Sequence, residues 1–176
     1  MPRSLAKEMS RSHQEMSEDQ TTLDAEGKVL VGLLMDALQD FLPEIGASPD
    51  DIIVTIQPHQ VKEVGRKLRD HPQIDCDFLR CLSVVDYQDQ FEIVYHLYSM
   101  KKNHRFVVKS RVPYDDPHLP SVIAIWPGAD WYEREGHDLF GVIFDGHPNL
   151  SPLILYEGFM GYPGRRSYPF HEYQEW

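Results

Sequence analysis

One stretch of this chain, WYEREGHDLFGVIFDGHPNL at residues 131–150, sets five ionisable side chains, Glu133, Arg134, Glu135, His137 and Asp138, within six positions among apolar neighbours. Three kinds of chemistry use such a set. Glu133 and His137, four apart, would share a helix face and could ligate a metal, yet zinc asks for at least one more ligand, and no Cys or second His lies nearby in that helix. Glu133 and Glu135 could form a carboxylate pair for acid-base work, but two apart on a helix they point to different sides. Glu133, Arg134 and Asp138 could instead form exposed ion pairs, worth about 0–1 kcal/mol and requiring no function. A fourth use is a surface that another protein covers.

These residues need a helix to hold them. Asp130 is expected as its N-cap with Glu133 at the third position, and Gly141 as the left-handed residue that ends it, giving a helix over 131–140. On a 3.6-residue period Tyr132, Gly136, Leu139 and Phe140 share one face. Gly136 costs about 1 kcal/mol of helix stability relative to Ala, and in return another backbone can come close there. After it, VIFDG predicts a short strand.

Upstream, Leu30, Leu33, Leu34, Ala37, Leu38 and Phe41 recur at helical spacing behind the capping Asp24, and Pro43 and Gly46 are expected to stop that helix. DIIVTIQ (51–57) predicts a strand and Val61, Val64 and Leu68 a second helix opened near Pro58. DFLRCLSVVDY, FEIVYHLYSM and HRFVVKSRV, separated by short polar turns, predict an antiparallel meander. YDDPHLP (114–120) is expected as a loop, and 121–126 as a helical turn at most. The fold expected is α+β: two layers, with helices packed on a mixed, mostly antiparallel sheet, and an extended C-terminal arm.

At 176 residues and 41% hydrophobic content the chain suits one domain with end segments. Residues 1–24 are expected as a polar, disordered tail, 25–144 as the α+β domain and 145–176 as the arm. Twenty-eight acidic against 17 basic residues give a net charge of −11, which disfavours nucleic acid and anionic membrane as direct partners. The most apolar stretch, 29–42, is interrupted by Asp36, Gln39 and Asp40, so no membrane span is expected; the beginning lacks the apolar run of a signal peptide, which points to the cytoplasm. Cys76 and Cys81 lie five apart, a spacing that fits neither a redox pair nor a zinc knuckle, and are read as reduced thiols. No phosphate loop or dinucleotide fingerprint occurs.

The arm carries four prolines and four glycines, which leave no room for a regular helix or strand. It nonetheless holds Tyr156, Phe159, Tyr162, Tyr168, Phe170, Tyr173 and Trp176, seven of the chain's 20 aromatic residues, too apolar for ordinary disorder. Such a segment needs a surface to lie on, either its own domain's flank or a partner.

WYEREGHDLFGVIFDGHPNL followed by GYPGRRSYP resembles the signature of the 30 kDa subunit of respiratory complex I, the C subunit of bacterial NADH:quinone oxidoreductase. VVDYQDQFEIVYHLYSMKKNHRFVVKSRVPYDD and PSVIAIWPGADW are similar to the stretch before it. The resemblance places the signature on Glu133, Arg134, Glu135, Asp138, Leu139, Phe140, Gly141, Gly146, His147, Pro148 and Leu150, and the later motif on Gly161, Pro163, Arg165, Arg166, Tyr168 and Pro169. Gly136, His137, Ser151, Pro152 and Ser167 depart from the usual residues. The resemblance implies a non-redox subunit, with no catalytic, cofactor or metal site of its own, in a complex that carries FMN, iron–sulfur clusters and quinone elsewhere. It would sit peripherally on the cytoplasmic face of the bacterial inner membrane. It would pack on the hydrogenase-like large subunit beside the quinone cavity, among other hydrophilic-arm subunits, with the arm wrapping that neighbour. An energy-conserving membrane-bound hydrogenase or formate-linked complex contains a related subunit and is the alternative host. The interface expected from signature and arm together comprises Glu133, Arg134, Glu135, Asp138, Phe140, Gly141, His147, Pro148, Tyr162, Arg165, Arg166, Tyr168 and Trp176, with partner charges pairing Arg134, Arg165 and Arg166.

Overall fold

The computed structural model describes residues 23–48 and 51–169; almost all of the expected tail, and Phe170, Tyr173 and Trp176, lie outside them. The first helix, α1 (Ala25–Leu38), begins where Asp24 accepts the Gly27 N–H at 2.7 Å, and it buries Leu30, Val31, Leu34, Ala37 and Leu38. A 3-10 turn, Gln39–Phe41, ends it, with Leu42 in the left-handed region at φ 48°. The chain then enters a strand, β1 (Glu44–Ala47), so Gly46 lies within an edge strand and not in the helix stop expected of it. Only Ile45 and Ala47 are buried there, too brief a pattern to announce a strand.

The next strand, β2 (Ile52–Ile56), and α2 (Val61–Asp70), preceded by a 3-10 turn at Pro58–Gln60, match the expected pair. Gly65 lets α2 approach Ile125 and Trp126, whose atoms would stand 3.0 and 3.2 Å from an added Cβ. The Trp126 indole donates to the Cys76 carbonyl at 2.9 Å. Cys76 is buried as a free thiol, and burial, with the charges of Asp77 and Asp75, pushes it up to about 12, so it remains unreactive.

The meander follows as β3 (Phe78–Asp86), β4 (Gln90–Tyr98) and β5 (Arg105–Pro113), joined antiparallel. The sheet order is β1-β2-β5-β4-β3, with β2 and β5 parallel: mixed and mostly antiparallel. Phe91, Ile93, Tyr95 and Leu97 of β4 join residues of all the helices in one core. On the opposite face Glu92, 2% exposed, receives Lys109 and Arg111 at 2.9 Å each. Burial raises its pKa, but these two hydrogen-bonded cations outweigh that and hold it below its ordinary value.

Within the segment expected as a loop, His118–Pro120 forms β6, parallel to β7 (Ile143–Asp145) in a second, two-stranded sheet. Three residues that follow one proline and end in another carry no readable period. Between these strands lies α3 (Ala129–Phe140), which packs on β3. It starts two residues earlier than expected because the backbone turns of 126–130 close first: Ala129 N–H reaches Trp126 O at 2.9 Å. Gly128 is therefore the N-cap, without a side-chain bond, and Asp130 sits inside the first turn, where an acid suits the helix dipole. Gly141 ends α3 at φ 73°, as expected. Among the described residues, no helix is long and apolar enough to cross a membrane.

Candidate functional site

The charged helix turns two of its four acids, Glu133 and Asp138, inward. Glu133 is 0% exposed; its Oε2 accepts Ser121 Oγ–H at 2.6 Å and its Oε1 the Val122 N–H at 2.7 Å. Burial pushes its carboxyl up to about 7, the two hydrogen bonds oppose that, and the Asp130 charge adds to it. One turn further, Asp138 Oδ2 accepts three successive backbone N–H groups of the arm, from Leu153 at 3.1 Å, Ile154 at 2.8 Å and Leu155 at 2.9 Å. Consecutive amides arranged this way make an anion-binding nest, here filled by the chain's own carboxylate. Burial raises the Asp138 pKa, but the amides and the nearby His137 outweigh it and hold the group below its ordinary value.

Arg134, half-buried, completes the fastening from the same helix. It donates from Nε to Ser151 O at 3.2 Å and from Nη2 to Pro152 O at 3.0 Å and Ser151 Oγ at 3.3 Å. Its described partners within the chain are thus arm carbonyls and a hydroxyl. Glu133 and His137 diverge instead of converging on a metal, since His137 Nδ1 lies 2.9 Å from Val142 O. Glu135 lies beside Cys81, and its charge, after burial, raises that thiol's pKa.

A second fastening holds the end of the arm. Arg165 donates from Nε to Phe140 O at 2.8 Å, and its guanidinium carbon lies 4.7, 4.8 and 5.1 Å from the ring centroids of Tyr162, Tyr114 and Phe91. Phe91 and Tyr114 are themselves stacked 4.8 Å apart, with Phe140 edge-on to Phe91. Gly164 N–H reaches Leu139 O at 2.9 Å, and Arg166 N–H reaches Asp86 Oδ2 at 2.8 Å across 80 residues. Tyr168 stacks on Phe159 and bonds Met160 O at 3.4 Å.

Arg165→Lys preserves charge but removes the plane that stacks on three rings. The expected loss is about 1–2 kcal/mol of arm docking, a factor of roughly 5–30 in the docked population. Hydrogen exchange at the Gly164 and Arg166 amides should accelerate by that factor while the β4 amides do not change; equal protection in the variant would show that the stack contributes nothing.

The structure brings Glu133, Arg134, Asp138, Phe140, Gly141, His147, Tyr162, Arg165, Arg166 and Tyr168 together where helix and arm meet. Pro148 is exposed, and Glu135 lies apart toward β3. Asp86, Phe91, Tyr114, Ser121 and Val122 belong to the site and were not anticipated; the first three come from far along the chain and the last two from the loop before α3, and no local pattern marks them. On the outer side of the arm, Ile154, Tyr156, Met160 and Tyr162 stand 58%, 72%, 84% and 38% exposed.

The sequence profile described as "Respiratory-chain NADH dehydrogenase, 30 Kd subunit" matches residues 54–174. The chain is 38% identical over 134 residues to the C 2 subunit of NADH-quinone oxidoreductase from Rhizobium meliloti (strain 1021), covering 74% of this chain and 73% of that protein. To the NADH-quinone oxidoreductase C subunit of Roseiflexus castenholzii it is 39% identical over 139 residues, covering 77% and 80%. Among solved structures it is similar to a chain of the membrane-bound sulfane sulfur reductase, an archaeal respiratory membrane complex, with a TM-score of 0.71 at 25% identity over 82% of this chain and 86% of that one. It is also similar to a trypsin-resistant fragment of Nqo5, with a TM-score of 0.58 at 29% identity, covering 68% of this chain and 98% of the fragment.

Proposed function

The chain belongs to the respiratory-chain NADH dehydrogenase 30 kDa subunit family, and from that premise we propose that it works as a non-redox docking subunit in the hydrophilic arm of a proton-translocating NADH:quinone oxidoreductase. It packs against the hydrogenase-like large subunit beside the quinone cavity; FMN, iron–sulfur clusters and quinone are held by other subunits. The assembled complex carries the activity, and the chain reaches the cytoplasmic face of the bacterial inner membrane only through its neighbours.

The observation that carries this reading is the arm's division into two sides. Its inner side is fastened to α3 through Asp138, Arg134 and Arg165, while its outer side presents Ile154, Tyr156 and Met160 to solvent on a fixed backbone. Large apolar side chains held rigid and exposed suit burial by another protein, because little ordering entropy remains to be lost on binding. The docked set is then the outer residues of the arm with Pro148, Tyr168 and Trp176, and the signature residues Glu133, Arg134, Glu135, Asp138, Phe140, Gly141, His147, Arg165 and Arg166 act by shaping the platform.

Replacing both Ile154 and Met160 by glutamate tests this. Losing two buried apolar side chains costs about 3–6 kcal/mol, roughly 10²–10⁴-fold in affinity. The expected result is loss of copurification with the large subunit from membranes, with the variant chain's own thermal midpoint unchanged. Full copurification of the double variant would sink the reading.

The likeness to the sulfane sulfur reductase chain favours a second reading, in which the same module serves a related membrane-bound complex with another electron donor. The docking role is common to both, and the redox partners that copurify with the chain distinguish them.

A further inference from the structure

Around Glu133 the core contains more hydrogen-bond donors than the described geometry uses. Tyr95 of β4 is buried, and its hydroxyl has no partner; burial, and after it the charge that Glu133 carries when ionised, raise its pKa well above the ordinary value. His147, at the root of the arm, has its side chain fully covered. Its Nδ1 accepts the Asn149 N–H at 3.1 Å, which leaves the ring proton on Nε2. That nitrogen lies 3.2 Å from Asp130 Oδ1, off the line a hydrogen bond needs, and 4.0 Å from Glu133 Oε2. Asp130, its side chain 34% exposed, is the route from this cluster to water. Among the described residues no Lys or Arg pairs with Glu133.

An ionised carboxylate in this place would have two filled hydrogen bonds, from Ser121 and Val122, and two donors standing by. A neutral one carries its own proton and needs neither. We infer that Glu133 is a proton-operated switch: on ionising it recruits the Tyr95 hydroxyl and the His147 Nε2–H, drawing the imidazole from Asp130 toward α3 and resetting the arm's root at 147–151. The proton released passes to solvent past Asp130; no other bond is made or broken. Its effect on docking rests on the function proposed above, whereas the switch itself does not.

The elevated value of about 7 supports this. A carboxyl raised from 4.5 when folded favours the folded state fully below pH 4.5, and that contribution is lost as pH rises through 7. The folding equilibrium therefore weakens by about 300-fold across that window, less whatever the recruited donors restore.

The test follows the Glu133 carboxyl carbon and the Tyr95 ring carbon that bears the hydroxyl by NMR in the full chain, from about pH 5 to about pH 9, beside Glu133→Gln and Tyr95→Phe. Glu133 is expected to titrate above the ordinary carboxylate range, and the Tyr95 signal to move with the same midpoint. Glu133→Gln should freeze the Tyr95 signal and reduce the pH dependence of the thermal midpoint across the same range; Tyr95→Phe should push the Glu133 midpoint higher. A Glu133 midpoint in the ordinary carboxylate range, or a Tyr95 shift that persists in Glu133→Gln, overturns the inference. If Glu133→Gln does not fold, the wild-type titration and the Tyr95→Phe shift decide it alone. Affinity for the large subunit is measured separately across the same pH range. A switch that operates without changing affinity leaves this inference standing and detaches it from the docking role.

Discussion

Asp138→Ala is expected to unfasten the arm while the domain stays folded. Three charge-assisted hydrogen bonds converge on one oxygen of a carboxylate that is 8% exposed, and such bonds contribute about 1.5–3 kcal/mol each where their donors stay buried. The amides of 153–155 regain water on release, so the net loss falls to about 3–5 kcal/mol, equivalent to roughly 10²–10⁴-fold faster exchange at those amides. Asp138→Asn should lose less, since it keeps one neutral acceptor. The pH dependence has a definite sign: because the folded pKa lies below the ordinary 3.8, the carboxylate stabilises the arm above that pH and the contribution is lost as pH falls through the lower, folded value. Acid should thus free the arm in the wild type, and Asp138→Ala should remove that acid step. Unchanged protection at Leu153, Ile154 and Leu155 in the alanine variant would refute the nest as the fastening.

Gly141→Ala is expected to disrupt the other fastening, for two separable reasons. The residue sits at φ 73°, where a side chain costs about 1–2 kcal/mol. An added Cβ would also stand 2.6 Å from Tyr162 Cζ and 2.9 Å from Arg165 Nη2, pressing into the ring stack at an overpacking cost of about 1–3 kcal/mol. The total, about 2–5 kcal/mol, should appear as a lower thermal midpoint and weaker near-ultraviolet dichroism from the displaced tyrosines. Gly158→Ala supplies the comparison, since Gly158 has φ 85° with no atom within 4 Å of the added Cβ. It should cost only the backbone part. Equal losses in the two variants would mean that the contact with Tyr162 and Arg165 is not what makes Gly141 necessary.

Periodic elements were legible in the sequence, and paired ones were not. Asp24 and the spacing of Leu30, Leu34 and Leu38 announce α1 because capping and burial are local. The alternation of Phe91, Ile93, Tyr95 and Leu97 shows which side of β4 enters the core, although it hides the burial of Glu92, which depends on two cations from β5. The strands β1 and β6 escaped because four and three residues fix no period; pairing with a neighbour defines them. Asp130 looked like a cap because the turn at Trp126 and Pro127, which starts the helix early, is set by backbone bonds no residue type declares. The site residues were found by type, and their partners were not. Glu133 meets Ser121 across a loop, and Asp138 meets an arm whose aromatic rings, counted alone, called for a second surface. The polar fastening adds a contribution that ring area does not contain, and it comes from the chain's own helix.

Among the described residues, the groups of the domain that receive the arm are encoded before it: Asp86, Phe91, Tyr114, Arg134, Asp138, Leu139 and Phe140 all precede Ser151. During synthesis the receiving surface can therefore be complete before the segment it receives has emerged. Until residues 151–168 follow, each new chain presents an empty groove along α3. Any peptide that displays successive free amides to Asp138 in that interval competes with the chain's own arm, so docking of the arm also closes the chain against strangers.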